Sequence, residues 1–403
     1  MTSTSTLAPT TDLTASLART RAAVAVTVLF AVNGMILGGY GGTLPSIRDR
    51  VGIDATHIAI MLFCGSLAGI ASMQIGGRLA DSIGARKVSL AALPLLIAAA
   101  VTFSLATSFP IAVLGAVFIG LGNGAMDVAM NALGVQVEAA RRKPIMSSFH
   151  AFWSLGSFVG AGSVLITATL FGLTGGSIVA PVMITLASIA AVVLVIAVRI
   201  TPQAATVQHK VDGVRTKIPR IAWLLAIMAL AFGLSEGTAT DWSALHVTEV
   251  ANVDSTTGSL GLVAVTGFMV IIRLLGDRLV ARFGRRAVVR FGGACAAVGY
   301  LTVTLVSGLP FLLAGWALVG FGVGMIAPQV YASAGHIGGG RVLAVVVTFG
   351  YAAFLAGPAV VGFLVNHLGL HHAMIIPAVL CAGIVALAAT MPRTDTDLAP
   401  SEH

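Results

Sequence analysis

Apolar stretches of twenty or more residues recur along the whole chain, and very few folds can accept them. A helix rises about 1.5 Å per residue, so roughly 20 apolar residues cross the hydrocarbon core of a bilayer, where the lack of water makes every backbone group pair within its own helix. Runs of that kind fall at 22–44, 57–77, 88–107, 110–136, 147–170, 178–198, 221–247, 256–280, 287–307, 309–333, 341–366 and 372–392. Each is predicted to be a membrane-spanning helix. Of the 403 residues, 57% are hydrophobic and 9% are charged, against about a quarter charged in soluble domains. So few charges cannot cover a soluble surface of this size, and the missing polar surface is expected to face lipid.

Orientation follows from the basic residues of alternate loops. One side collects Arg19 and Arg21, then Arg78, Arg86 and Lys87, Arg141 to Lys143, the 199–220 segment, Arg278 to Arg290, Arg341 and Arg393, whereas the other has only Arg48 and Arg50. The positive-inside rule therefore puts both termini and the linker in the cytoplasm of an inner-membrane, multi-pass protein, and an even number of spans follows. The first apolar run is too long for a signal-peptide core and is expected to stay as a span. Residues 1–20 and 393–403 are expected to be disordered cytoplasmic tails. The net charge of +8 is dispersed between apolar runs with no binding motif beside it, so no nucleic-acid partner is expected. Cys64, Cys295 and Cys381 lie inside spans without disulfide or metal spacing, which suits small apolar fillers.

The chain also matches itself at an offset of 200 residues. Gly76, Arg78, Leu79, Gly84 and Arg86 fall on Gly276, Arg278, Leu279, Gly284 and Arg286; Pro110, Gly115, Gly120, Gly122 and Gly124 fall on Pro310, Gly315, Gly320, Gly322 and Gly324; Phe149 and Gly162 fall on Phe349 and Gly362. One register held across three helices points to a duplicated unit. The expected fold class is an all-α membrane protein of twelve transmembrane helices in two pseudo-symmetric six-helix bundles, residues 21–199 and 221–392, joined by a cytoplasmic linker at 200–220.

The run GGRLADSIGARK, Gly76 to Lys87, resembles the loop signature of the major facilitator superfamily, and its weaker copy from Gly276 to Ala287 lies where that family repeats it. The resemblance implies solute transport by alternating access around a mid-membrane site. It also implies a cytoplasmic gate formed by Gly77, Arg78, Asp81, Gly84, Arg86, Asp277, Arg278 and Gly284. Asp81 would brace that gate by pairing with basic residues and helix ends, while Ala281 leaves the second copy without this acid. A narrower resemblance, carried by GLGNGAMDVAMN (Gly120 to Asn131) and SSFHAFWSLGSFVG (Ser147 to Gly160), is to the fucose and galactose proton-symporter branch, with Asp127 and Asn131 matching its acid and amide.

Ionisable side chains at mid-membrane are costly and mark function by default. Asp127 is eleven residues before Glu138, roughly 16 Å along a helix, which puts it near the bilayer centre. A carboxyl there sheds much of its cost by taking a proton, so it can load and release one. Asn131, at i+4, shares its face. Glu236 is the second such acid, with Asp241 and Trp242 nearer the outer end of the same span. His150 and Trp153 suit proton relay and stacking on a sugar face, and Asn33, Gln329 and Tyr331 are neutral hydrogen-bonders on helices that line the cavity in the resembling family. Structural roles compete for all of these, from helix stitching by Asp127 with Asn131 to interfacial anchoring by Trp242. Arg273 is expected in an internal ion pair or at the gate, the gate being favoured over the substrate site. His367, His371 and His372 lack an acid or thiol at ligand spacing, and no metal or cofactor is expected.

Phosphate-binding and common hydrolase motifs are absent from the sequence, so an ion gradient is the expected source of energy and no enzyme activity is expected. The expectation is a monomeric, proton-coupled carrier of a small, sugar-like solute. A proton-driven efflux antiporter for drugs or other amphiphiles is the alternative, although the fifth span lacks the Gly-Pro pattern of that group. A non-transporting sensor or an intramembrane enzyme is a third possibility, weakened by the absence of a long soluble insert.

Overall fold

The structure, a computed structural model, describes residues 10–141, 145–201 and 218–391. The expected C-terminal tail and residues 202–217 of the linker lie outside these. Apolar runs with helix-compatible composition become helices because nothing else satisfies their backbone in lipid. The first half holds α1 (Thr10–Val51), α2 (Ala55–Leu79), α3 (Ala85–Leu105), α4 (Phe109–Arg141), α5 (Met146–Phe171) and α6 (Val179–Ile200). The second holds α7 (Arg220–Val250), the single turn α8 (Ser255–Gly258), α9 (Leu260–Phe283), α10 (Arg285–Leu305), α11 (Leu309–Ala373) and α12 (Ile375–Leu387).

Two long runs each hold two crossings. Residues 55–105 fold over at a π-helical turn, Ala80–Gly84. In α11 the Tyr331 side chain lies against Gly350, nineteen residues further on and about 28 Å away in a straight helix, so this 65-residue element doubles back on itself. Among the described residues each half therefore has six crossings, α8 and α9 sharing one. The helix α1 starts at Thr10, inside the stretch expected as a disordered tail, because the helical ladder runs on past the apolar segment through residues such as Ala, Leu and Arg that favour it.

The 200-residue repeat is visible in the backbone. Helices α3 and α10 end at Leu105 and Leu305, and α4 and α11 begin at Phe109 and Leu309. Asp54 caps α2 by accepting from the His57 N–H at 2.9 Å, and Asp254 caps α8 by accepting from the Thr256 and Thr257 N–H groups at 3.0 Å. Two residues before these caps the chain turns left-handed, at Gly52 (φ 70°) and at Asn252 (φ 52°), and the repeated loop does so at Gly84 (97°) and Gly284 (78°). Glycine pays no Cβ penalty in that region and asparagine tolerates it.

Packing inside each half relies on close backbone approach, as expected where lipid and side chains are equally apolar. A Cβ added at Gly156 or Gly160 of α5 would sit 2.0 Å from the carbonyl oxygen of Ala31 or Met35 in α1. Between the halves, α5 packs on α9 and α2 on the second limb of α11. Large apolar side chains such as Leu105, Leu305, Leu170 and Phe311 face outward and are exposed; these are the lipid-facing positions.

Candidate functional site

Where the halves meet at mid-height, a cavity of about 250 Å³ is lined by residues of α1, α2, α4 and α5 on one side and α7, α9 and α11 on the other. Its charged lining comprises Asp127, Glu236, Asp241 and Arg273. The two acids of greatest interest have different surroundings. Glu236 accepts a hydrogen bond from Arg273 at 2.9 Å in an ion pair whose side chains are 14% and 9% exposed, and Arg273 also donates to the Ser154 hydroxyl of α5, across the interface. Asp127 has no cationic partner among the described residues. Its Oδ2 accepts from the Tyr351 hydroxyl at 2.6 Å, and its Oδ1 accepts from the Asn131 amide at 3.2 Å.

Tyr351 belongs to α11 and Asp127 to α4, so this hydrogen bond crosses between the halves. Tyr331 and Tyr351 both line the same cavity as Asp127 and Glu236. Asp241 faces the cavity five residues beyond Glu236 on α7, near Tyr40, and makes no hydrogen bond or ion pair among the described residues. Trp153 and His150 complete this part of the wall. Trp153 Nε1 donates to Asn33 Oδ1 at 2.8 Å, and the Asn33 amide donates to Asn123 Oδ1 at 3.1 Å. His150 packs edge-on against Phe30, with ring centroids 5.3 Å apart.

Of the residues singled out in the sequence, Asp127, Glu236, Asp241, His150, Trp153 and Tyr331 are brought together in this wall. Four take supporting places behind it or elsewhere. Asn33 is fully buried and holds Trp153 and Asn123. Asn131 points back along its own helix, bonding the Asp127 carbonyl at 2.8 Å. Gln329 accepts from Arg285 at 3.0 Å. Trp242 is fully buried in the second half with its indole N–H unpartnered among the described residues; it lies one position on from Asp241, about 100° around the helix, and so turns into the bundle. Arg273, expected in an internal ion pair or at the gate, makes the ion pair with Glu236 and lines the cavity, ten residues before the end of α9 and about 15 Å up the helix.

At the repeated loop, Arg86 donates to the carbonyls of Thr201 and Val198 at 2.9 and 2.6 Å, closing the end of α6 as a C-terminal base should. Arg78 and Arg278 are exposed, and Gly77 packs toward Val128 of α4. Asp81 is exposed and makes no hydrogen bond or ion pair among the described residues; the π turn swings 81–83 outward between buried Ala80 and Gly84. Among the described residues no partner for the bracing expected of Asp81 is present. The side chain of Asp277 lies outside the described residues.

Tyr351, Asn123 and Ser154 join the site without having been expected from the sequence. Asn123 had a usable signal, since it precedes Asp127 by four residues and so shares its face. Tyr351 and Ser154 had none, because their partners come from the opposite half. Also unforeseen were two contacts between the halves on the side away from the repeated loop. Arg48 of α1 pairs with Glu249 of α7 at 2.6 Å, and the Thr56 hydroxyl of α2 donates to Asn366 of α11 at 2.6 Å.

A family model described as Major Facilitator Superfamily matches residues 26–282 and 225–402. The uncharacterised transporter y4wD of Sinorhizobium fredii is 30% identical over 380 residues, covering 90% of this chain and 96% of its own length. The membrane protein MosC of Rhizobium meliloti is 27% identical over 380 residues, covering 91% and 89%. Among solved structures, the nucleoside transporter NupG superposes with a TM-score of 0.68 at 11% identity, covering 93% of this chain and 99% of that one. The fucose:proton symporter FucP of E. coli gives 0.63 at 17% identity, covering 92% and 98%.

Proposed function

Because the chain belongs to the major facilitator superfamily, and is thus a multi-pass membrane transporter, we propose that it carries a small polar solute across the inner membrane by alternating access coupled to protons. The halves that rock are residues 21–199 and 221–392, each chain acts as a monomer, and the tails and linker lie in the cytoplasm. The observation that carries the coupling is the hydrogen bond from Tyr351 to Asp127. An ionised carboxylate accepts a stronger hydrogen bond than a neutral acid, so a proton arriving at Asp127 weakens a tie between the halves. Proton loading and rocking then share one bond. Glu236 is held by Arg273 and serves to orient the far wall, with Trp153 offering a stacking face.

A sugar-like solute is supported by the proton-symporter resemblance around Asp127 and by the likeness in fold to a fucose:proton symporter and a nucleoside transporter. Export of amphiphiles is the second reading, supported by apolar wall residues such as Leu37, Leu62, Met73 and Phe232; drug sensitivity of a strain lacking the protein separates it from uptake. For the coupling itself, Asp127→Asn is expected to abolish proton-coupled flux in reconstituted vesicles while the protein still reaches the membrane. Undiminished coupled flux in that variant rejects the role of Asp127.

A further inference from the structure

The charges of the cavity do not balance. Three acids and one base line it. That base, Arg273, is committed to Glu236 and to Ser154. Asp127 is engaged by Tyr351 and Asn131. Asp241 alone of the acids presents a carboxyl group with no hydrogen bond or ion pair among the described residues, and it does so inside the cavity between the halves. His150 is the remaining ionisable group in the lining, and even with its imidazole counted as a base the three acids outnumber the bases.

We propose that the solute carries a protonated amino group, which Asp241 receives in the cavity; this rests on the cavity being the transport path. A carboxylate solute meets three acids and, among the described residues of the lining, no cation beyond the paired Arg273. A neutral polyol can donate hydroxyl hydrogen bonds to Asp241 but leaves the negative excess uncompensated. An ammonium group answers Asp241 with a charge-assisted hydrogen bond. The surrounding wall is also rich in aromatic residues, Tyr40, Trp153, Phe232, Tyr331 and Tyr351, the residue types whose rings attract cations. Asp241 is thus the specificity-determining acid, distinct from Asp127, which moves the proton.

The test uses the purified full chain and matched pairs of probes: glucosamine with glucose, galactosamine with galactose, putrescine with 1,4-butanediol, and tyramine with its hydroxyl counterpart tyrosol. Ligands that prefer the native state raise its unfolding midpoint. At least one amine is expected to raise it at concentrations tenfold or more below its hydroxyl partner, with the preference lost in Asp241→Asn and kept in Asp241→Glu. The proposal is overturned if the hydroxyl members stabilise as well as the amines, if no amine stabilises, or if Asp241→Asn keeps the preference. Flux of the same probes into vesicles separates the two claims. Amines that bind without crossing refute the transport path and not the recognition, whereas neutral partners that cross while amines do not refute the recognition alone.

Discussion

Asp127 and Glu236, two carboxyls lining one cavity, have unlike neighbours. Glu236 has a guanidinium 2.9 Å away and is largely screened from solvent, so removing one partner leaves a buried charge uncompensated. Losses of that kind cost about 3–5 kcal/mol in protein interiors, whereas removing both members together is often nearly neutral. Arg273→Met is therefore expected to lower the unfolding midpoint of the purified chain markedly, and Glu236→Gln in the same chain to restore most of it. A double variant no more stable than Arg273→Met alone rejects the pairing as the cause. Asp127, with a phenol and an amide in place of a cation, is free to change its protonation without breaking an ion pair.

Among the elements, the two capped turns carry a pH dependence of known sign. The His57 backbone N–H, followed by its ring, holds the Asp54 carboxyl below its ordinary value. At Asp254 burial pushes upward, but the hydrogen bonds from Thr257 and Thr256 prevail and leave it lowered as well. A carboxyl depressed on folding adds stability above its unfolded value, about 3.9 for aspartate, and that stability is lost as the pH falls through the folded value. Replacing an N-cap Asp by Ala costs about 0.5–2 kcal/mol, while Asn caps about equally well. Thermal unfolding in detergent is thus expected to show Asp54→Asn close to the parent chain at neutral pH and less sensitive than it to acid below about pH 4; identical acid profiles would remove the cap from the account.

For the molecule as a whole, the described contacts between halves lie at mid-height or toward the side away from the repeated loop, where Arg48 meets Glu249 and Thr56 meets Asn366. Rocking between two access states must part these contacts. Cysteines in place of Thr56 and Asn366, joined by a short cleavable thiol reagent, are expected to stop flux and to release it on reduction, with each single cysteine unaffected. Full flux while cross-linked would mean that this closure does not open during transport.

The crossings, their grouping into two related halves and the presence of acids at mid-membrane were determined by sequence alone, because each is a local or periodic property: apolar length, a 200-residue register, and the cost of a carboxyl in lipid. Asp127 and Glu236 were legible for that reason. Only the tertiary structure decided which side chains answer them. Arg273 lies 37 residues from Glu236 in sequence, and Tyr351 lies 224 from Asp127; no spacing within one helix encodes such a meeting. Trp242 and Asp241 are adjacent in the chain, yet one is sealed in the bundle and the other opens on the cavity. Rotation about the axis of α7, set by the helices packed around it, made that choice.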